Sequence, residues 1–261
     1  MKRKSLLSFM LILFLSGFAF SQTIEQYLEK GDSLYKSFDN EGALNVFLEA
    51  IEKYPGNWEI LWRLSRTYTD IAEHLPTSTS EQEKAQLAMY ETAVDYANRA
   101  VARAPGESVT YLRRAIANGR IALFKGVFSV GKVVDQVKAD CEKAIELGTG
   151  GNEVQGVAHY VLARTHDKIS DKWSVARAAL GLGWADYDIG IEHYQKAIEL
   201  YPEFMMIHVE YAKALMEEDE WGQAKQALET ALKCPIIDED DPKLLIEAEE
   251  LLAEVNKKIK K

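Results

Sequence analysis

Cysteine is almost missing from this sequence. Cys141 and Cys234 are the only two in 261 residues, too few for a disulfide framework. Proline is scarce too, at 6 residues, so little interrupts long helical runs. Basic residues are outnumbered 31 to 41 by acidic ones; a surface of that sign disfavours nucleic acid, whose phosphates call for lysine and arginine. Chemistry-bearing constellations are lacking as well. The five histidines, His74, His159, His166, His193 and His208, form no metal-protease pair, and two of them, His159 and His166, are expected to pack between helices. Gly181-Leu182-Gly183 has no third glycine and no preceding strand, so it is no dinucleotide loop. Residues 126–131 miss the spacing of a nucleophile elbow by one residue. The expectation is a non-enzyme with no catalytic residue, no metal and no cofactor.

Long apolar runs are also absent, apart from residues 6–20. That run follows Lys2, Arg3 and Lys4 and ends in Ala19-Phe20-Ser21, the pattern of a secretory signal peptide over residues 1–21. Its 15 residues fall short of the roughly 20 needed to span a bilayer; an uncleaved anchor is the competing reading. Cleavage would remove three cations and no acid, leaving 28 basic against 41 acidic residues and a net charge of −13. The chain is then expected to be exported, periplasmic or secreted, with no membrane span. The two cysteines fall in different units, too far apart for the roughly 7 Å limit between bridged α-carbons, and read as small buried hydrophobes.

What the chain has in quantity is alanine at helical spacing. Counting from Ile24 puts Tyr27, Gly31, Leu34, Ala43, Phe47, Ala50 and Pro55 at positions 4, 8, 11, 20, 24, 27 and 32 of one unit. A second clear copy covers residues 187–233, where Ala197 and Pro202 close one helix pair and Tyr211, Ala212, Leu215, Ala224, Leu228 and Ala231 build the next. This resembles the tetratricopeptide repeat, a helix pair of about 34 residues in which small side chains mark close helix contacts. The expected fold is all-α, a right-handed superhelical solenoid of five such pairs over about 24–57, 58–107, 108–151, 156–204 and 205–238. A capping helix follows at about 242–258, with Asp241 as its N-cap and Pro242 in its first turn. Anchored on position 27, the alanines fall at 50, 100, 144, 197 and 231, so only the last spacing is standard. The second unit carries an inserted polar loop at residues 76–80 with a helix start after it. The fourth carries an apolar insert at residues 170–187, read as an extra short helix.

The order of irregular units is similar to the regulators of microtubule dynamics. The carrying features are Trp62-Arg63-Leu64-Ser65-Arg66, the lengthened third unit around residues 111–115, and the tryptophan-bearing insert before residues 187–202. The resemblance implies the architecture over most of the chain and leaves the partner open.

Stacked first helices leave a concave face. At positions 5 and 9 it would carry Trp62 and Arg66, Tyr160 and Arg164, and Val209 and Lys213, with Leu112 and Arg120 from the third unit. Aromatic walls with guanidinium groups one turn along suit an extended peptide or a carboxylate-bearing ligand. The expectation is therefore an exported scaffold that binds another protein of the cell envelope through these residues; self-association stays open. The alternative is a small-ligand-binding solenoid serving a transporter, its pocket closed by the 170–187 insert through Trp173 or Trp184. Reversing Arg66 and Arg164 to glutamate is expected to abolish capture at little cost in melting temperature.

Overall fold

The computed structural model of the chain describes residues 22–126, 131–170 and 174–260, apart from the side chains of residues 174 and 176. The expected signal segment 1–21 and Trp173 lie outside the described residues. Among the described residues no helix is long and apolar enough to cross a membrane.

Five helix pairs follow one another: α1 (Ile24–Lys36) with α2 (Asn40–Lys53), α3 (Trp58–Glu73) with α4 (Ser80–Arg103), α5 (Ser108–Lys125) with α6 (Gly131–Leu147), α7 (Gly151–Ser170) with α9 (Tyr187–Leu200), and α10 (Met205–Glu217) with α11 (Trp221–Ala231). The short α8 (Ser174–Ala179) interrupts the fourth pair, and α12 (Asp241–Ile259) packs on α10 and α11. This is the all-α repeat solenoid that the alanine spacing predicts.

Local chemistry sets the ends of these helices. Thr23 and Gln26 form a reciprocal capping box at α1, and Thr79 and Gln82 repeat it at α4. The side chains of Asp39, Asn57 and Asp186 accept from Gly42, Ile60 and Ile189 backbone N–H groups; each such cap contributes about 1 kcal/mol. The two shortest inner turns share one geometry. Phe38 and Asp219 adopt φ of 65° and 61°, while the following N–H groups of Asp39 and Glu220 donate to Leu34 and Leu215 carbonyls. That is the left-handed helix stop usually given to glycine.

Packing between the pairs rests on the small residues. Ala50, Ala100, Ala144, Ala197 and Ala231 are all fully buried, with Tyr27, Phe47, Tyr194 and Leu228 filling around them. Gly31 shows how close the approach is: a β-carbon there would lie 2.3 Å from Cε1 of the buried Phe47 ring. Gly31→Ala is expected to lose about 1–3 kcal/mol through overpacking, despite the better helix propensity of alanine; the urea midpoint measures it.

Irregular spacing is absorbed locally. α3 and α4 extend to 16 and 24 residues, so the insertion in the second unit goes mainly into the length of α4. In the fourth unit, Leu182 and Ala185 bury against Ala122, Val134 and Ile169, and the Trp184 indole N–H donates to Asp135. At the C-terminal end Asp241 does not cap α12. Its fully buried carboxylate accepts instead from Ile237 and Asp238 N–H, each at 2.8 Å, because the chain folds back over the helix start. Cys141 is buried as expected, but Cys234 is half-exposed at the end of α11.

Candidate ligand cavity

The inner surface of the stack encloses a cavity of about 860 Å³ lined by side chains from all five helix pairs. One stripe of α5 and one of α7 face it, each spaced four, three and four residues apart as helical geometry requires. In α5 the stripe is Val109, Arg113, Ile116 and Arg120; in α7 it is Val157, Val161, Arg164 and Lys168. Position 5 of the repeat lies at the edge of this stripe. Trp62 and Tyr160 reach the cavity from there, but Leu112 and Val209 do not. Leu112 turns toward Ala144 and Ala158, and Val209 is fully buried among α9–α12 side chains. Both expectations are corrected by that rotation. Lys213 is also outside the cavity, held by Glu210 and Glu247 at 2.9 and 2.6 Å. The structure thus brings Trp62, Arg66, Arg120, Tyr160 and Arg164 to one cavity and removes the other three.

Most of the guanidinium charge is compensated. Arg63 and Arg66 share Asp32 of α1, with the closest contacts at 2.7 and 3.0 Å. Burial raises the Asp32 carboxyl, yet these two arginines outweigh it and hold the carboxyl below its usual range. Arg120 meets Glu73 at 2.5 Å and Arg164 meets Glu210 at 2.9 Å. Burial pushes Glu73 up to about 7 against the pull of Arg120. It raises Asp70 also, although Arg113 and Arg66 lie nearby and Tyr35 donates to it.

Arg113 differs from the other arginines of the cavity: among the described residues it has no ion pair. Its guanidinium carbon lies 5.7 Å from the Trp62 ring centre, and those of Arg63 and Arg66 lie 4.2 and 5.1 Å away. Arg66 also stacks on Tyr35 at 3.4 Å. Burial and the neighbouring Arg66 lower the Arg113 pKa against the opposing pull of Tyr35 and Asp70. Its signal in the sequence was its place at position 6 of the third unit, matching Arg63 in the second.

The cavity is closed by an element that the sequence had not marked. Residues 236–240, between α11 and α12, cross to the first two units and line the cavity with Ile236 and Ile237. The Asn40 amide donates to Glu239 at 2.6 Å and His74 Nε2 lies 3.2 Å from Asp240. The arch is therefore a ring. No described residue of the 170–187 insert lines the cavity; Leu182, Trp184 and Ala185 pack against α5–α7 instead, and Trp173 lies outside the described residues. His159 and His166 pack between helices as the register predicts. His159 and His193 meet through their Nδ1 atoms at 2.8 Å, with burial pushing His159 down to about 4, and His166 is buried beneath Trp184.

The motif Trp62-Arg63-Leu64-Ser65-Arg66 at the centre of this cavity, and nearly all of the solenoid with it, falls in residues 27–256, which match the family described as Regulator of microtubule dynamics protein 1-3. The chain belongs to the regulator of microtubule dynamics family. Regulator of microtubule dynamics protein 1 of Mus musculus is 30% identical over 188 residues, 69% of this chain and 58% of the relative. Protein 3 of Rattus norvegicus is 24% identical over 88% of this chain and 49% of its own length. The chain spans about half the length of the curated relatives it matches. Among solved structures, a thermophilic TPR protein of Thermus thermophilus superposes with a TM-score of 0.60 at 18% identity, covering 88% of this chain and 98% of that one. That likeness shows the fold, a tetratricopeptide-type helical scaffold.

Proposed function

We propose that this family member is an exported, non-enzymatic binding protein whose ring interior holds an elongated apolar ligand ending in a negatively charged group. The observation that carries the reading is Arg113, a guanidinium without an ion pair inside a ligand-sized cavity. Around it the wall is apolar, from Val109, Ile116, Val157, Val161, Phe204 and Met206. Phe38, Leu123, Ile236 and Ile237, all well exposed to solvent, also line the cavity, which suits a ligand that enters chain first. The leader-like residues 1–21 support export. A partner protein fits the same chemistry through a threaded C-terminal tail with a free carboxylate.

Anilinonaphthalene sulfonate, an apolar anion, is a direct probe. It is expected to bind the full chain at one cavity site, with Arg113→Met weakening it about tenfold, the worth of one charge-assisted hydrogen bond. Val157→Trp, which fills the wall, is expected to abolish binding. Displacement by decanoate identifies a small amphiphile as the ligand type; displacement by an apolar peptide with a free but not an amidated C-terminus identifies a protein tail. Unchanged fluorescence in both folded variants would refute the cavity as the binding site.

A further inference from the structure

Stacked units touch their neighbours, so the first and last helix pairs of a solenoid need not meet. Here they are joined, and by very little. Among the described residues, every hydrogen bond and ion pair from the 233–240 segment to the first two units goes through two side chains: Glu239, which accepts from Asn40 at 2.6 Å, and Asp240, with Oδ1 3.2 Å from His74 Nε2. The segment is shaped in advance from its C-terminal end. Asp241 takes the N–H groups of Ile237 and Asp238, and the Asp238 side chain takes that of Asp240. Its apolar residues lend little grip. Ile236 and Ile237 remain 46% and 39% exposed and face the cavity. A strap preformed on one side and held on the other by polar contacts at a half-exposed edge separates at small cost.

We propose that residues 233–240 form the gate of the ring, latched through His74 and Asn40 to Glu239 and Asp240, and that the latch opens to admit and release the ligand. This rests on the cavity being the ligand site. His74 faces Glu239 and Asp240 from the strap, its Nδ1 lies 2.9 Å from the Asp70 backbone carbonyl and Glu73 is close by on its own helix, with Arg120 of α5 beside Glu73 and Lys243 of α12 beside Asp240. Burial opposes the His74 charge, but the bond to Asp240 and the surrounding acids outweigh it and raise its pKa above the usual 6.5. A raised histidine contributes fully below 6.5 and loses its contribution as pH climbs through the higher native value. Glu73, at about 7, ionises over the same interval and adds a negative charge facing Asp240 and Asp70. Both changes loosen the latch on the alkaline side.

The test uses the full chain, with backbone hydrogen exchange of residues 233–240 and stopped-flow entry of anilinonaphthalene sulfonate, at about pH 6 and about pH 9. Wild type is expected to show strap protection at the lower pH, partly lost at the higher after correction for intrinsic exchange, with faster probe entry. Asn40→Ala with His74→Ala is expected to raise strap exchange and probe entry about tenfold at the lower pH, the loss of one charge-assisted contact. The milder His74→Gln should keep part of the protection and remove its pH dependence. Lost strap protection with unaltered probe entry overturns the gate alone, as does protection that neither variant changes. A wild-type chain that does not take the probe into the cavity overturns the ligand reading and the gate with it.

Discussion

Ala100→Arg is expected to abolish cooperative folding of the first three helix pairs. Ala100 is fully buried in the cluster with Ile60, Leu61 and Leu64, and its carbonyl accepts the N–H that closes α4 at Ala104. A guanidinium there has neither room nor a carboxylate within the cluster. Overpacking costs about 1–3 kcal/mol and an unpaired buried charge adds several more. The sum rivals the whole stability of an ordinary domain, about 5–15 kcal/mol. Circular dichroism melting should show a broad, early transition in place of a single steep one. A wild-type melting curve would mean that the α2–α4 contacts do not depend on the small residue.

Arg66→Glu is expected to cost about 3–5 kcal/mol, the range found when one partner of a buried ion pair is removed. Arg66 is 9% exposed, bonded to Asp32 at 3.0 Å and stacked on Tyr35. The reversal leaves a glutamate beside Asp32 and near the buried Asp70, three acids where a cation had stood between two. From sequence alone the same substitution looked harmless to stability, because an arginine on a concave face reads as free. Urea unfolding followed by tryptophan fluorescence decides the matter: a shift under about 0.5 kcal/mol, the scale of ordinary surface substitutions, would show that Arg66 is not part of the inner framework. Arg164→Glu should follow the same course more weakly, since it meets the buried Glu210 but keeps more solvent around it. Charge reversal at Arg66 and Arg164 is therefore a poor probe of binding, and neutralisation of Arg113 a better one.

The solenoid was legible because helix contacts impose a size limit that only alanine and glycine meet. Ala50, Ala144 and Ala231 fix the register even where inserts intervene out of turn. The direction in which individual side chains point was less so. Leu112 and Trp62 hold the same position at the edge of the inner stripe, yet one is buried between helices and the other reaches the cavity, so register alone does not decide which way an edge side chain turns. Asp32 could not be foreseen as the partner of Arg63 and Arg66, for it lies on the neighbouring unit at the place where the first helices converge. The strap was hidden for a different reason. Its acidic run, residues 238–241, matches a helix start, and nothing local distinguishes a cap from a contact with Asn40, 199 residues away.

Repeat arrays ordinarily fray from their outer units, each of which has a neighbour on one side only. In this chain the terminal pairs are tied to each other, but only through Glu239 and Asp240. Amide protection at the two ends should therefore rise and fall with the state of the latch, higher than position in the array would suggest while it is shut and ordinary once it is open.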